Sequence, residues 1–127
     1  MSRRSIEIDS FAHLTPIPAA TRIGPLLVSS VIPSFDPYTR NVPPTAEAQI
    51  ANLFGRAEAI LEAGEATWDD VAKMTFFVTD LAQRDLINGP WAERFPDPES
   101  RPARHTQVVA PGGSPMITCD LIAYVQK

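Results

Sequence analysis

The residues of this chain best equipped for chemistry are Arg104 and Thr106, in the stretch Arg101-Pro-Ala-Arg-His-Thr106, and Thr118 and Asp120 further along. A guanidinium is a permanent cation whose planar fork can hold a small carboxylate through two parallel hydrogen bonds. Side chains alternate along a strand, so Arg104 and Thr106 share one face and His105 takes the other. The same rule sets Thr118 beside Asp120, about 7 Å away along the strand, opposite Ile117, Cys119 and Leu121. The β-prone segments 104–109 and 116–125 flank Pro111-Gly-Gly-Ser-Pro115, which predicts a hairpin with a Gly-rich connection. Two polar pairs on neighbouring strands, one of them carrying a cation, would make a pocket wall.

Other reactive side chains fit simpler roles. Alternation turns His105 away from Arg104, towards a packed or interfacial position. His13 lies in a proline-rich connection, and two histidines without a carboxylate at ligand spacing do not make a metal site. Ser29 and Ser30 lack the Gly-x-Ser-x-Gly context of a nucleophile elbow and read as strand residues, with a hydroxyl at the rim of a pocket. The single cysteine, Cys119, excludes an intramolecular disulfide and sits in an apolar alternation that buries it. Arg101 is expected in a surface or intersubunit ion pair, and Asp120 in a salt bridge with an arginine.

These residues need a scaffold, and the chain has the size for one. At 127 residues and 44% hydrophobic content it can bury a core of its own, so 1–127 is read as a single domain. The net charge is −4 and the basic residues form no run, which is the wrong footprint for nucleic acid. No apolar run is long enough to span a membrane, and Met1-Ser-Arg-Arg is followed by Ser5-Ile-Glu-Ile-Asp9 rather than by an apolar signal core. A cytoplasmic protein is expected. The 13 prolines punctuate periodic segments instead of interrupting them.

In chain order, residues 4–8 alternate as a first strand, followed by a proline-bounded connection through Pro16 and Pro18. Gly24-Pro25 turns the chain into a continuous β-prone second strand over 26–32, stopped by Pro33. Asp36-Pro-Tyr-Thr-Arg-Asn41 is turn chemistry. Thr45 caps a helix with Ile50, Leu53, Phe54, Ala57, Ile60 and Leu61 at helical spacing, and Gly64 stops it. Gln49, Arg56, Glu58 and Glu62 form its solvated face. A third strand covers 71–79. A second helical region over 82–95 is interrupted at Asn88-Gly-Pro90, with Asn88 as a cap and Trp91 and Phe95 packed on the sheet. The order β-β-α-β-α-β-β, with two helices against one sheet, predicts a two-layer α/β domain.

Leu27-Val-Ser-Ser30, Ala63-Gly-Glu-Ala-Thr-Trp-Asp-Asp-Val71, Thr75-Phe-Phe-Val-Thr-Asp-Leu81, Asn88 and Arg101-Pro-Ala-Arg104 together resemble the RidA/YjgF family of reactive-intermediate deaminases, along nearly the whole chain. The resemblance implies a chorismate-mutase-like fold and a homotrimer with small-carboxylate sites between subunits, working without metal or organic cofactor. It also implies hydrolysis of imines and enamines, such as 2-aminoacrylate, to a keto acid and ammonia.

Carried over residue by residue, Arg104 matches the arginine that grips the substrate carboxylate, and Asn88 a position near the pocket. Thr106 stands where many deaminases have a cysteine whose backbone carbonyl helps hold the water. Ser30 is at the rim, and Val31 takes the place of a common glycine, which narrows the pocket or removes a close backbone approach. Thr118 falls where active deaminases carry a glutamate, so this chain is a divergent member. A hydroxyl can hydrogen-bond a water but is a poor general base near neutral pH. Two functions are therefore carried forward. One is deamination of small enamine or imine carboxylates, 2-aminoacrylate-like or aminomuconate-like, through positioning with Thr118 and Thr106 at the water. The other is a non-catalytic small-carboxylate-binding module on the same trimeric scaffold.

Overall fold

The computed structural model describes residues 2–9, 16–109 and 116–126. The strands are β1 (Arg3–Ile6), β2 (Ala20–Ile23), β3 (Leu26–Ser29), β4 (Val71–Val78), β5 (Ala103–Val108) and β6 (Thr118–Tyr124). The helices are α1 (Ala46–Ala63) and α2 (Gln83–Arg94), and a 3₁₀ turn over Trp68–Asp70 leads into β4. One six-stranded sheet runs β1-β2-β3-β6-β4-β5, with β4 and β5 parallel and every other pair antiparallel. The two-layer α/β architecture stands, with one strand added: β2 lies in what reads as a proline-bounded connection. Its four residues alternate too briefly to stand out, and pairing with both β1 and β3 holds them in the sheet.

The expected β5–β6 hairpin does not form. β6 enters between β3 and β4, while β5 pairs in parallel with the outer edge of β4. Alternation reports which face a residue takes, but not which strand lies beside it. The predicted turn at 111–115 and His13 lie outside the described residues.

α1 follows its spacing. Thr45 Oγ1 accepts from the Ala48 amide at 3.2 Å, and Ile50, Leu53, Phe54, Ala57, Ile60 and Leu61 are buried against the sheet. Gly64 ends the helix with φ −87°, so its use is space and not handedness. A Cβ there would lie 2.8 Å from Leu27 Cδ2. Arg22 donates to the Gly64 carbonyl, giving the negative end of α1 a cation. Two residues of the expected solvated face are buried instead. Gln49 Oε1 accepts from the Ile117 amide at 2.9 Å while its Nε2 donates to the Pro43 carbonyl, and Arg56 donates to the Pro33 carbonyl and stacks on Phe35. Both clamp the loop that follows Pro33, whose cover no helical period reveals.

α2 is likewise unbroken. Pro90 sits inside it, and Asn88 is a mid-helix residue rather than a cap. The amide that proline lacks would have met the carbonyl of Leu86, an exposed residue. Trp91 and Phe95 pack edge to face at 4.7 Å and bury themselves against the sheet, as their spacing predicts.

Both helices cover one face, which holds Leu27, Met74, Phe76, Val78, Cys119, Leu121 and Ala123 in the core. The other face carries a stripe of apolar side chains. Ile23 pairs with Leu26, Leu26 with Tyr124, and Val28 with Ile122, and Ile23, Leu26, Ile122 and Tyr124 are each 39–55% exposed. Among the described residues, no helix is long and apolar enough to cross a membrane.

Candidate functional site

Strand β5 forms one edge of the sheet, and its register places Arg104 beside Met74 and Thr106 beside Phe76. Those β4 residues are buried under the helices, so Arg104 and Thr106 lie on the helix-covered face at the edge nearest α2. The Arg104 guanidinium is held there from two sides. Nη1 donates to Asn88 Oδ1 at 2.9 Å and Nη2 to the Arg84 carbonyl at 3.0 Å. Beneath it are the rings of Trp91 and Phe76, with Cζ 5.3 and 5.8 Å from their centroids.

A guanidinium has five N–H donors, so among the described residues three remain for a ligand. Burial, and then the charge of Arg84, push its pKa down, while Asp85 opposes them. It stays cationic, because arginine titrates far above neutrality.

Thr118 and Asp120 take the opposite face. Their register partners on β4 are Phe77 and Thr75, and the buried Cys119 and Leu121 between and after them point to the helices. β4 also stands between β5 and β6. One chain therefore separates Arg104 from Thr118 by the thickness of the sheet and the width of a strand.

Val31 is nearly half exposed on the side of Thr118. Ile32, the next residue, is buried and bridges Cys119 through both backbone hydrogen bonds. From Val28↔Ile122 to Ile32↔Cys119, this strand uses one residue more than β6 does, a bulge that Ser29 closes by accepting from the Leu121 amide at 2.9 Å. The Ser30 hydroxyl donates to the Pro18 carbonyl at 2.7 Å. Burial raises the Asp120 carboxyl above the ordinary aspartate range, with Lys73 opposing. Among the described residues of one chain neither Asp120 nor Arg101 has an ion pair, and Arg101 donates from Nε to the Phe95 carbonyl. Cys119 is fully buried, which pushes its thiol far up and out of nucleophilic chemistry. His105 is exposed on the face away from Arg104.

The structure thus joins Arg104, Asn88 and Thr106 at one edge, and Thr118, Asp120 and Val31 on the other face. Sequence reasoning missed the carbonyl of Arg84. The signal was the four-residue spacing of Arg84 and Asn88, which an unbroken α2 turns into one helix face. A cleft lined by Trp68, Asp69, Phe95, Glu99 and Arg101 lies apart from both groups.

The chain is of the class of two-layer α/β domains, with a doubly held arginine at one edge of its sheet. More narrowly, residues 7–112 match the family model described as Endoribonuclease L-PSP, and the chain belongs to that family, the RidA/YjgF family. It is similar to a Thermotoga maritima protein with 29% identity, 98% of each chain covered and a TM-score of 0.87. RidA from a Psychrobacter species is 27% identical, with 96% of this chain and 99% of that one covered and a TM-score of 0.84. YjgF of E. coli is 25% identical, with 97% and 99% covered and a TM-score of 0.85. A small-molecule deaminase or binding role follows from that membership.

Proposed function

We propose that this protein hydrolyses small enamine or imine carboxylates to a keto acid and ammonia, at sites between the subunits of a cytoplasmic homotrimer. The observation that carries this reading is the Arg104 guanidinium, fixed by Asn88 and the Arg84 carbonyl with donors to spare. Such a fork can fix a carboxylate, and with it the electrophilic carbon next to it. Imine hydrolysis needs that positioning, a water aimed at the carbon, and a proton for the departing nitrogen. The Thr106 backbone carbonyl and a Thr118 hydroxyl from a neighbouring chain would hold the water, and Asp120 is the carboxylate nearest Thr118 on its strand. The apolar stripe on the uncovered sheet face supports association, which would bring one chain's Thr118 towards another's Arg104. The family model's description names RNA cleavage, but a net charge of −4 disfavours a polyanion and the held fork suits a single carboxylate.

Thr118 favours a second reading, carboxylate binding without turnover, since its hydroxyl is no general base. One experiment separates the two. An amino-acid oxidase generates 2-iminobutyrate in situ, and semicarbazide trapping competes with hydrolysis. The wild type should accelerate hydrolysis weakly, and Thr118→Glu should raise the rate, by less than the roughly 100-fold to 10,000-fold of a well-placed acid-base group, because Val31 and Thr106 reshape the surroundings. Adding Arg104→Ala should abolish the gain. No acceleration in wild type or Thr118→Glu, with 2-oxobutyrate still bound, would establish the binding module. A wild-type rate untouched by Arg104→Ala would overturn the anchor.

A further inference from the structure

Arg84 and Asn88 stand four residues apart on α2, so they are neighbours on one helix face. That face meets Arg104: Asn88 accepts through its side chain, and Arg84 through its backbone carbonyl. The side chain of Arg84 is therefore a second cation at the rim of the same site. It is exposed, and among the described residues neither guanidinium has a carboxylate oxygen within 4.0 Å. Asp85 follows on the helix, rotated from Arg84 by about 100°; it makes no ion pair with either arginine, though its charge opposes that of Arg84 at Arg104. Two like charges brought together disfavour each other, and the charge of Arg84 is felt at Arg104, where it adds to the effect of burial. An anion shared between them would relieve that repulsion. A ligand with one carboxylate satisfies Arg104 alone.

We propose that Arg84 is the second carboxylate anchor of this site, so that the natural ligand is a small dicarboxylate with one end on Arg104 and the other on Arg84. The inference rests on Arg104 being a carboxylate anchor, and it narrows the substrate class to enamine or imine diacids. Orientation follows from the difference between the two cations. Arg104 is half-buried, doubly held and backed by two rings, which suits the carboxylate beside the reacting carbon. Arg84 is exposed on a flexible stem, which suits the distal carboxylate of chains of more than one length.

Calorimetry with chain-matched keto acids tests this: 2-oxoglutarate against 2-oxopentanoate, and 2-oxoadipate against 2-oxohexanoate. The wild type should bind the diacid of a pair about fivefold more tightly, the order of an exposed ion pair. Arg84→Gln should bring that ratio close to one, and Arg84→Glu should invert it. Both substitutions keep the backbone carbonyl that orients Arg104, so a change in the ratio reports the side chain's charge. A wild-type ratio of one, or a diacid preference that survives Arg84→Glu, overturns the role of Arg84 and leaves Arg104 intact. Arg104→Gln addresses the underlying reading separately. It should weaken all four acids, and unchanged monoacid binding there would overturn Arg104 as the anchor.

Discussion

Asp120 shows how one residue's surroundings set a measurable property. Burial raises its carboxyl, and the charge of Lys73 only partly offsets this. The folded chain therefore keeps this proton at pH values where the unfolded chain has released it. Stability contributed by this group falls as pH rises through the window that opens at the ordinary aspartate value and closes at the raised one. Asp120→Asn removes the slope. Melting curves of variant and wild type should coincide at the acid end of that window and separate in the variant's favour towards neutrality. A difference that stays constant with pH would mean that Asp120 does not titrate there. Arg104 is the opposite case. Its charge persists, and what the structure adds is direction, from an amide oxygen on one side and a carbonyl on the other. The arginine itself was legible from its type and strand position, but its second partner was a backbone atom, which no side-chain pattern discloses.

At the scale of elements, the contact between α1 and β3 turns on Gly64. An added Cβ would lie 2.8 and 3.0 Å from the two methyl carbons of Leu27 and 3.2 Å from the Ile60 carbonyl oxygen. Leu27 is fully buried, so its methyl carbons can give way only by shifting within the core. Gly64→Ala should therefore destabilise the protein by about 1–3 kcal/mol, the usual cost of overpacking, read as an earlier midpoint in urea. Gly64→Ala with Leu27→Val should recover part of the loss, whereas no recovery would place the cost in the backbone. Gly64 thus stops the helix as expected, but through a close approach that only the packed sheet reveals. The same distinction separates what was readable from what was not. Periodicity located α1, β4 and the buried Trp91 and Phe95, because burial on one face imposes it. It missed β2, whose four residues are too few to show a period, and it joined β5 to β6 because chain order carries no register. It interrupted the second helical region at Asn88-Gly-Pro90, where the chain is one helix with Pro90 inside it and the exposed Leu86 one turn earlier.

For the molecule as a whole, the decisive fact is that Arg104 and Thr118 lie on opposite faces of one sheet. A site using both needs two chains, Arg104 from one and Thr118 from the next. In the proposed trimer the chains would meet through the uncovered face, where Ile23, Leu26, Ile122 and Tyr124 are exposed. In a ring with cyclic symmetry every interface is the same pairing of unlike surfaces, and this allows a test that no single-chain site can pass. Arg104→Ala removes the anchor from one side of each interface, and Thr118→Trp fills the pocket from the other. Each variant alone should fail to bind 2-oxobutyrate. In trimers assembled from an equal mixture, an interface is intact when an Arg104-bearing chain meets a Thr118-bearing one in the right order. Random assembly does this with a chance of one-half on each side, so about one-quarter of the wild-type sites should return. Calorimetric stoichiometry after co-refolding measures the fraction, and separately refolded variants mixed without exchange serve as the control. Recovery to that level would show that the two groups act across an interface. If Thr118→Trp alone still binds 2-oxobutyrate, and the mixture keeps about one-half of the wild-type sites, Arg104 and Thr118 do not share a site, and a ligand on Arg104 meets only its own chain's Asn88, Thr106 and Arg84.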